Sequence, residues 1–519
     1  MVESVATYPW PLALVFVLLH GLGFAGALAD VGLPQHEIPL TLLVFDVGVE
    51  LGQVAFVAVG LALVLALSKV RIQWPAGSRQ LPAHTHWRRS GSLSGSVDFC
   101  LSRKRKTLPP ENKTNDPAFD EACKFIVKLG KAAHGYGPNA IRLESYLSRL
   151  TTALGHRGFF RSTPTEMTFA FSREGDPWQR THLATMPGTG LELARLGKVG
   201  ELVDGVVAGQ INVSEATTRL DEIDKISHPW GSIPTAFSYA LVGSGFAVLL
   251  SGGWWDVLFS ALFSLVVYVM VLLAGRFGPR AAEWLPLSSA FVAGVLAASA
   301  KVALPEINGL LVTLSAILVL IPGYSISVGV VELVGGRVVS GTANLMNGLV
   351  YLVKQFAGAW LGVEIVRLFW SIQTAQGSPL ASEWLWLFMP LLIIGLCVVF
   401  QTAPRDFFWA VFGCAIAYGA ILLGDAIAGG NLGNLFGTIV AVVFANLWAR
   451  ETGRPTSIVL LPAIVLLVSG SIGFRGLAAV ASGQVTTGEH QVIQMFVVAL
   501  TIAAGLLVGN TIIRPKITL

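Results

Sequence analysis

The stretch AILVLIPGYSISVGVVELVGGRVVSG, residues 316–341, decides the architecture, because it is an apolar segment interrupted near its middle by Pro322 and Gly323. It returns at residues 463–488 as AIVLLVSGSIGFRGLAAVASGQVTTG, at an offset of 147 residues (463 − 316). Aligned without gaps, the two copies share the same amino acid at eight positions, and four of these are glycine pairs. Recurring glycines predict that the backbone follows the same course at the same points. The second half of the chain is therefore expected to consist of two related units in tandem.

Each copy is too long for a simple membrane crossing. The 29 residues 307–335 would reach ~43 Å as one straight helix, against a hydrocarbon core of about 30 Å. Interrupted helices at matching positions of two repeats point to a transport site. The alternative is a pair of kinked, tilted helices whose small residues serve packing alone.

The composition is that of a polytopic membrane protein. Of 519 residues, 53% are hydrophobic and 13% charged, and the mean hydropathy is +0.66. Since the chain lacks a basic-aromatic motif, its net charge of +4 bears on membrane orientation and no nucleic-acid partner is expected. The sequence also lacks GxxxxGK(S/T), GxSxG, HExxH and any Cys/His metal spacing. We therefore expect a transporter without a cofactor and not an enzyme.

Two apolar spans open the chain within residues 1–68. They contain HGLGFA at residues 20–25 and FDVGVELGQ at residues 45–53. These motifs resemble the hydrogenase/urease accessory membrane family (HupE/UreJ). The resemblance implies nickel or cobalt handling, which makes His20, Asp46 and Glu50 weak candidate metal ligands. The alternative is a fused fragment that serves as an extra membrane anchor.

Residues 69–115 form a basic linker, and residues 116–232 read as a small α/β domain. The linker contains ten Lys and Arg residues but only two acidic residues, Asp98 and Glu111. We therefore expect it to be disordered and to lie in the cytoplasm. The following domain combines helical periodicity with alternating strand-like runs such as GFFRSTPTEMTFAFS. Asn212 is the expected cap of its last helix.

Ten hydrophobic spans follow, as two membrane repeats of five spans each, residues 233–373 and 374–515. They begin near residues 233, 255, 283, 307, 341, 384, 406, 431, 456 and 491. If the linker is cytoplasmic, every Lys and Arg of the connecting turns lies on the same side, and the opposite turns have none. This places the C-terminus inside. Because five is odd, the two repeats are expected in opposite orientations.

Ionisable residues within spans are costly and indicate function by default. Those found are Glu332, Lys354, Glu364, Arg367, Asp425 and Arg475. Glu332 and Arg475 follow the two interruptions and are expected to meet across a pseudo-two-fold axis, where together they would suit a zwitterion. Alternatively, either residue caps the interface or pairs with a neighbour. The predicted substrate or coupling site comprises Pro322, Gly323, Glu332, Gly470 and Arg475.

Residues 119–515 resemble the threonine/serine exporter (ThrE) family. In the small domain the matching motif residues are Gly137, Pro138, Arg142, Glu144, Thr163, Pro164 and Thr165, and in the spans they include Pro322, Gly323 and Glu332. Ile141 stands where the family usually has His, and Glu332 where it more often has Asp. The resemblance implies export of small amino acids driven by the proton gradient, or of dicarboxylates in related members.

The interpretation we favour is a secondary transporter in the cytoplasmic (inner) membrane that exports threonine, serine or similar amino acids. Its expected partners are the substrate, protons and lipid, and a homo-oligomer is left open. A second interpretation is a membrane-anchored module whose activity lies in residues 116–228, where His134, Arg142 and Glu144 flank a Gly-Pro break. Ten spans are excessive for an anchor, which favours transport.

Overall fold

The computed structural model describes residues 116–515 except 138–139, 174, 177–178, 187–189, 373–376, 429–431 and 468–469. All of them belong to one compact unit, Pro109–Leu519. The two N-terminal spans, the basic linker and the candidate ligands His20, Asp46 and Glu50 lie outside the described residues. So do Pro138 and Ser469.

The first part of this unit is the small α/β domain. Its elements are α1 (Pro117–Gly135), α2 (Ala140–Ala153), β1 (His156–Ser162), β2 (Glu166–Arg173), β3 (Arg180–Thr185), α3 (Leu193–Val207) and α4 (Val213–Lys225). The strands form an antiparallel meander in the order β1-β2-β3. Asn212 caps α4 as predicted, since its side chain accepts a hydrogen bond from Glu215 N at 2.8 Å.

The buried face of the sheet packs on α1 and α2. Phe160 on β1 pairs in register with Phe169 on β2, and their rings meet edge to face. Helix α1 approaches this layer through Gly130, where a Cβ would lie 2.5 Å from Phe169 Cε1. Because any larger residue would collide with this ring, glycine sets the distance between helix and sheet.

The rest of the unit consists of apolar helices. They are α5 (Ser232–Leu249), α6 (Trp254–Phe277), α7 (Pro279–Ala303), α8 (Gly309–Ala316), α9 (Gly323–Val334), α10 (Val338–Arg367), α11 (Leu385–Val399), α12 (Pro404–Ala428), α13 (Leu432–Thr452), α14 (Ser457–Leu467), α15 (Gly470–Ala481) and α16 (Val485–Ile512). In the described part of the chain, nine segments are long and apolar enough to cross a membrane, α14 and α15 being taken as one. A tenth arises if α8 and Leu318–Val334, which are bent by 58°, form one broken span. The protein is a multi-pass membrane protein.

The same local hydrogen bonds recur 147 residues apart. After α9, the backbone N–H groups of Gly335, Gly336 and Arg337 donate to Val331, Leu333 and Glu332. After α15, those of Ser482, Gly483 and Gln484 donate to Ala478, Val480 and Ala479. Gly336 and Gly483 have φ of 77° and 84°, a conformation that favours glycine. Both helices thus end in the same turn.

Glycines also set two equivalent helix crossings. On α10, a Cβ at Gly358 would lie 2.1 Å from Leu287 O, and one at Gly362 would lie 2.4 Å from Phe291 O, both carbonyls of α7. On α16, a Cβ at Gly505 would lie 2.6 Å from Thr438 Cβ of α13. Gly358 and Gly505 are again 147 residues apart (505 − 358). The third and fifth helical segments of each half therefore pack through the same small residues.

The first turn of each half also matches. Ser251 and Gln401, which lie in the connections after α5 and α11, have φ of 60° and 53°. Asp256 Oδ1 accepts a hydrogen bond from Asn308 N at 2.8 Å, so it holds the segment before α8. Asp406 binds Arg454, which lies in the segment before α14. In each half, a buried aspartate near the start of the second span thus anchors the start of the fourth.

Candidate functional site

The starts of α9 and α15 lie side by side. A Cβ built on Gly470 would be 2.9 Å from Gly323 Cα and 2.6 Å from Ile321 Cγ2. Only hydrogen atoms separate the two backbones at this point, so any side chain at Gly470 would force them apart. The expectation that the two interruptions approach each other agrees with this contact, although Ser469 itself is outside the described residues.

The first break comprises Ile321 and Pro322, between a 3₁₀ turn (Leu318–Leu320) and α9. The first intrahelical bond of α9 runs from Ile326 N to Pro322 O at 3.1 Å. The N–H groups of residues 323–325 therefore precede the helical ladder and have no partner within the helix. On the other side of the break, the Leu320 carbonyl accepts a hydrogen bond from Gln355 Nε2 of α10 at 3.0 Å.

Glu332 does not lie at this break. It is nine residues beyond Gly323, about 14 Å along α9, and it is fully buried. Its Oε1 accepts from Ala140 N at 3.0 Å and its Oε2 from Asn344 Nδ2 at 2.7 Å. Ala140 is the first residue of α2, so the carboxylate caps a helix N-terminus of the small domain, where negative charge is favourable.

Arg475 lies five residues beyond Gly470, about 8 Å along α15. Its Nε is buried and has no hydrogen-bond partner among the described residues. Within the same residues no ion pair joins it to Glu332, so the predicted meeting of the two side chains does not occur. The Glu332 carboxylate binds Ala140 N and Asn344 Nδ2 instead.

The Arg142 and Glu144 side chains of α2 bind the membrane helices. Arg142 Nη1 donates to Ser457 Oγ at 3.2 Å and also binds Thr456, at the start of α14. Glu144 pairs with Arg337 at 3.0 Å, in the turn between α9 and α10. Burial lowers the pKa of Arg142 to about 10. It raises the pKa of Glu144, although Arg337 and a hydrogen bond from Ser162 N act in the opposite direction.

The other motif residues of the small domain shape its backbone. Gly137 has φ of 98°, and a Cβ there would lie 2.6 Å from Gly190 O. Thr163, Pro164 and Thr165 form the turn between β1 and β2, closed by the bond from Thr163 N to Glu166 O at 2.9 Å. The Thr163 carbonyl also meets His134 Nε2 at 2.9 Å. These contacts fix the backbone of the turn between β1 and β2.

The small domain also contacts two turns of the second half. Leu193 N and Ala194 N, at the start of α3, donate to the carbonyls of Phe400 and Gln401 at 3.0 Å each. Glu201 pairs with Arg405 and lies 3.9 Å from Arg454. Together with Arg337, these arginines belong to the turns that were predicted to be cytoplasmic. One domain thus holds basic turns of both halves.

Models of known protein families match most of this chain. Residues 124–366 match the model of a threonine/serine exporter family, and residues 385–512 match a second threonine/serine exporter model, ThrE. The part of the chain from residue 124 to residue 512 belongs to the threonine/serine exporter family. Residues 1–86 match the HupE/UreJ protein model. Both resemblances predicted from sequence motifs are confirmed.

Three proteins that resemble this chain are distant from it in sequence. Pheromone-regulated membrane protein 10 of Debaryomyces hansenii is 24% identical over 413 residues, which cover 76% of this chain and 40% of that protein. Its counterpart in Yarrowia lipolytica is 24% identical over 391 residues, 71% and 31% of the two chains. The threonine/serine exporter of Corynebacterium glutamicum is 24% identical over 339 residues, 62% and 67%. The chain therefore spans less than half the length of these two fungal relatives. No solved structure matches it.

Three residues that contact the first break, Glu332 or Glu144 were not predicted from the sequence. Asn344 and Gln355 are polar side chains in the apolar helix α10, and Arg337 lies in the turn before it. Polar residues within a span are a usable signal, because lipid offers them no hydrogen-bond partner. Both side chains are uncharged amides, so a criterion based on ionisable residues does not include them.

Proposed function

We propose that the protein is a secondary transporter that exports small amino acids of the threonine/serine type across the cytoplasmic (inner) membrane, driven by the proton gradient. The observation that carries the proposal is the contact between Gly323 and Gly470 at the starts of α9 and α15. The backbone N–H groups at a helix start have no partner within the helix, and here they lie inside the apolar bundle and away from lipid. Such N–H groups favour an anion, so they suit the carboxylate of a substrate.

The proposal includes two inverted repeats. The recurrence of the same turns and glycine crossings at an offset of 147 residues supports two equivalent halves. Five spans in each half, counting each interrupted pair as one, would reverse the orientation of the second. The small domain then lies in the cytoplasm, since it contacts Arg337, Arg405 and Arg454 and basic turns favour that side.

Within this scheme the substrate carboxylate binds at the N–H groups of residues 323–325 and at the start of α15, with Arg475 nearby on the same helix. Glu332 is our candidate for the coupling proton. It is a buried carboxylate that joins α9 to the small domain, so protonation would weaken its bonds to Ala140 and Asn344. A change at Glu332 would thereby alter how the domain holds the spans.

The test is efflux from proteoliposomes that contain the full-length protein and are preloaded with labelled threonine, serine or succinate, with and without a pH gradient. Gradient-stimulated threonine or serine efflux is expected. Gly470→Leu should abolish it, because the side chain would occupy the contact with Gly323. Gly419→Leu is the matched control, since a Cβ there meets no atom within 4 Å.

Two outcomes would contradict the proposal. Efflux of succinate alone would favour the dicarboxylate alternative. Absence of efflux of all three compounds, with correctly inserted protein, would favour the membrane-anchored module. Full activity of Gly470→Leu would move the substrate site away from the break while leaving the transport function in place.

A further inference from the structure

We infer that Gln355 is a substrate-binding residue, whose amide oxygen accepts a hydrogen bond from the ammonium group of the exported amino acid at the first break. This inference rests on the proposed function and deepens it. It adds a residue that no comparison assigns, and it gives a chemical reason for selecting amino acids over dicarboxylates.

The two polar atoms of the Gln355 amide have different surroundings. The side chain is fully buried, with 0% of its surface exposed. Nε2 donates to Leu320 O at 3.0 Å, which fixes the amide beside Ile321 and Pro322 of the first break. Oε1 is also buried, and among the described residues no atom donates to it. A buried acceptor without a donor is costly and uncommon in native proteins, so a ligand donor is expected at this point.

The same break supplies donors for the other end of the ligand. The N–H groups of residues 323–325 precede the helical ladder of α9, and the start of α15 is in contact with Gly323. Helix N-termini favour an anion, whereas a free amide oxygen favours an N–H donor. An α-amino acid carries a carboxylate and an ammonium group on one carbon and can satisfy both.

A dicarboxylate fits this arrangement poorly. At neutral pH it has two anionic groups and no N–H donor, so it would leave Gln355 Oε1 unpaired or bring an oxygen against it. Glu332 does not take the place of Gln355 as the ammonium acceptor at the break, because it lies about 14 Å farther along α9 than Gly323.

The experiment compares ligands with and without an amino group. Efflux of labelled L-threonine by the full-length protein is measured with co-loaded unlabelled threonine, 3-hydroxybutyrate (threonine without its amino group) or succinate. In the wild type, 3-hydroxybutyrate should compete at least about tenfold more weakly than threonine, as expected for one lost hydrogen bond to a charged donor. The quantity compared is the ratio of the 3-hydroxybutyrate concentration to the threonine concentration that gives the same inhibition. In Gln355→Met, which keeps the volume and removes the amide, this ratio should fall toward one.

Gln484→Met is the matched control, because Gln484 is an exposed residue of the turn after α15; it should keep the wild-type ratio. If Gln355→Met transports too slowly, the same ratio is taken from the ligand-induced rise in the unfolding temperature of the purified protein. Gln355→Asn, which shortens the side chain but keeps an amide, serves as the second variant if the methionine variant does not insert.

The outcomes separate this inference from the proposed function. A wild-type ratio near one, or an unchanged ratio in the Gln355 variants, overturns the inference while threonine export stands. Equal weakening of threonine and 3-hydroxybutyrate in the variants overturns it too, because Gln355 would then only support the break. Absence of threonine efflux by the wild type overturns the proposed function itself.

Discussion

The Glu332 carboxylate receives two hydrogen bonds from different parts of the chain, one from the start of α2 and one from α10. Both partners, Ala140 N and Asn344 Nδ2, are donors, so the site requires two acceptor oxygens. A carboxylate supplies them, whereas an amide of the same shape supplies one oxygen and one NH₂ group. At the scale of the residue, charge and hydrogen-bond polarity therefore matter more than size.

Glu332→Gln should weaken this connection. One of the two contacts becomes a donor facing a donor, which should lower the free energy of unfolding by about 1–3 kcal/mol. If Glu332 also carries the coupling proton, gradient-driven threonine efflux should be lost as well. Thermal unfolding of the purified protein and proteoliposome efflux measure the two effects separately.

Glu364→Gln is the control for that variant, because Glu364 is partly exposed and pairs only with Arg367 on its own helix in the described residues. It should change stability by no more than about 0.5 kcal/mol. Wild-type stability together with full gradient-driven efflux in Glu332→Gln would show that neither role belongs to this residue.

At the scale of the element, α7 and α10 cross through glycines that bring backbone against backbone. A Cβ at Gly362 would lie 2.4 Å from Phe291 O and 2.8 Å from Val295 N. Both atoms belong to the main chain, so no side-chain rotation can relieve the contact. Close helix approach of this kind is a main source of packing energy between membrane helices, where the hydrophobic effect contributes little.

Gly362→Ala should therefore separate the two helices. We expect a loss of about 1–3 kcal/mol in the free energy of unfolding, as for overpacking of a tight core. The measurement is thermal unfolding of the purified protein at fixed detergent concentration. Gly275→Ala on α6 is the matched control, since a Cβ there meets no atom within 4 Å and alanine is a better helix former than glycine. Equal stability of the two variants would mean that the helix crossing accommodates a Cβ at Gly362 without a clash.

At the scale of the whole molecule, the small domain holds both halves of the membrane region. Its helices α2 and α3 contact the turn at Arg337 in the first half and the turns at Arg405 and Arg454 in the second. All three turns must lie on the same side of the membrane for one domain to reach them. Any movement of the two halves relative to each other would therefore act on these contacts.

The arrangement of the spans predicts a topology that reporters can test. A reporter fused after Ala375, between the two repeats, should lie outside the cell, and one fused after Leu519 should lie inside. An enzyme active only in the cytoplasm and one active only outside it give complementary readouts at each position. The same side for both positions would be incompatible with ten spans.

Much of the fold follows from the sequence by itself, because its signals are local. Apolar length predicts spans, basic turns predict their side, and the recurrence of residues 316–341 at 463–488 predicts two equivalent units. The described spans begin close to the predicted positions, except that α16 starts at Val485, six residues before the expected 491. The family was also evident from motif residues of both parts.

Only the tertiary structure decided which side chains meet. The bond between Ala140 and Glu332 joins residues 192 positions apart, and no local pattern in either segment indicates the other. For the same reason the sequence did not distinguish a pairing of Glu332 with Arg475 from a pairing with a neighbour, and it did not indicate the contact of Gln355 with Leu320. Hydropathy depends on each segment alone, whereas a hydrogen bond between helices depends on which helices are neighbours and on their rotation, which the packing of the whole bundle sets.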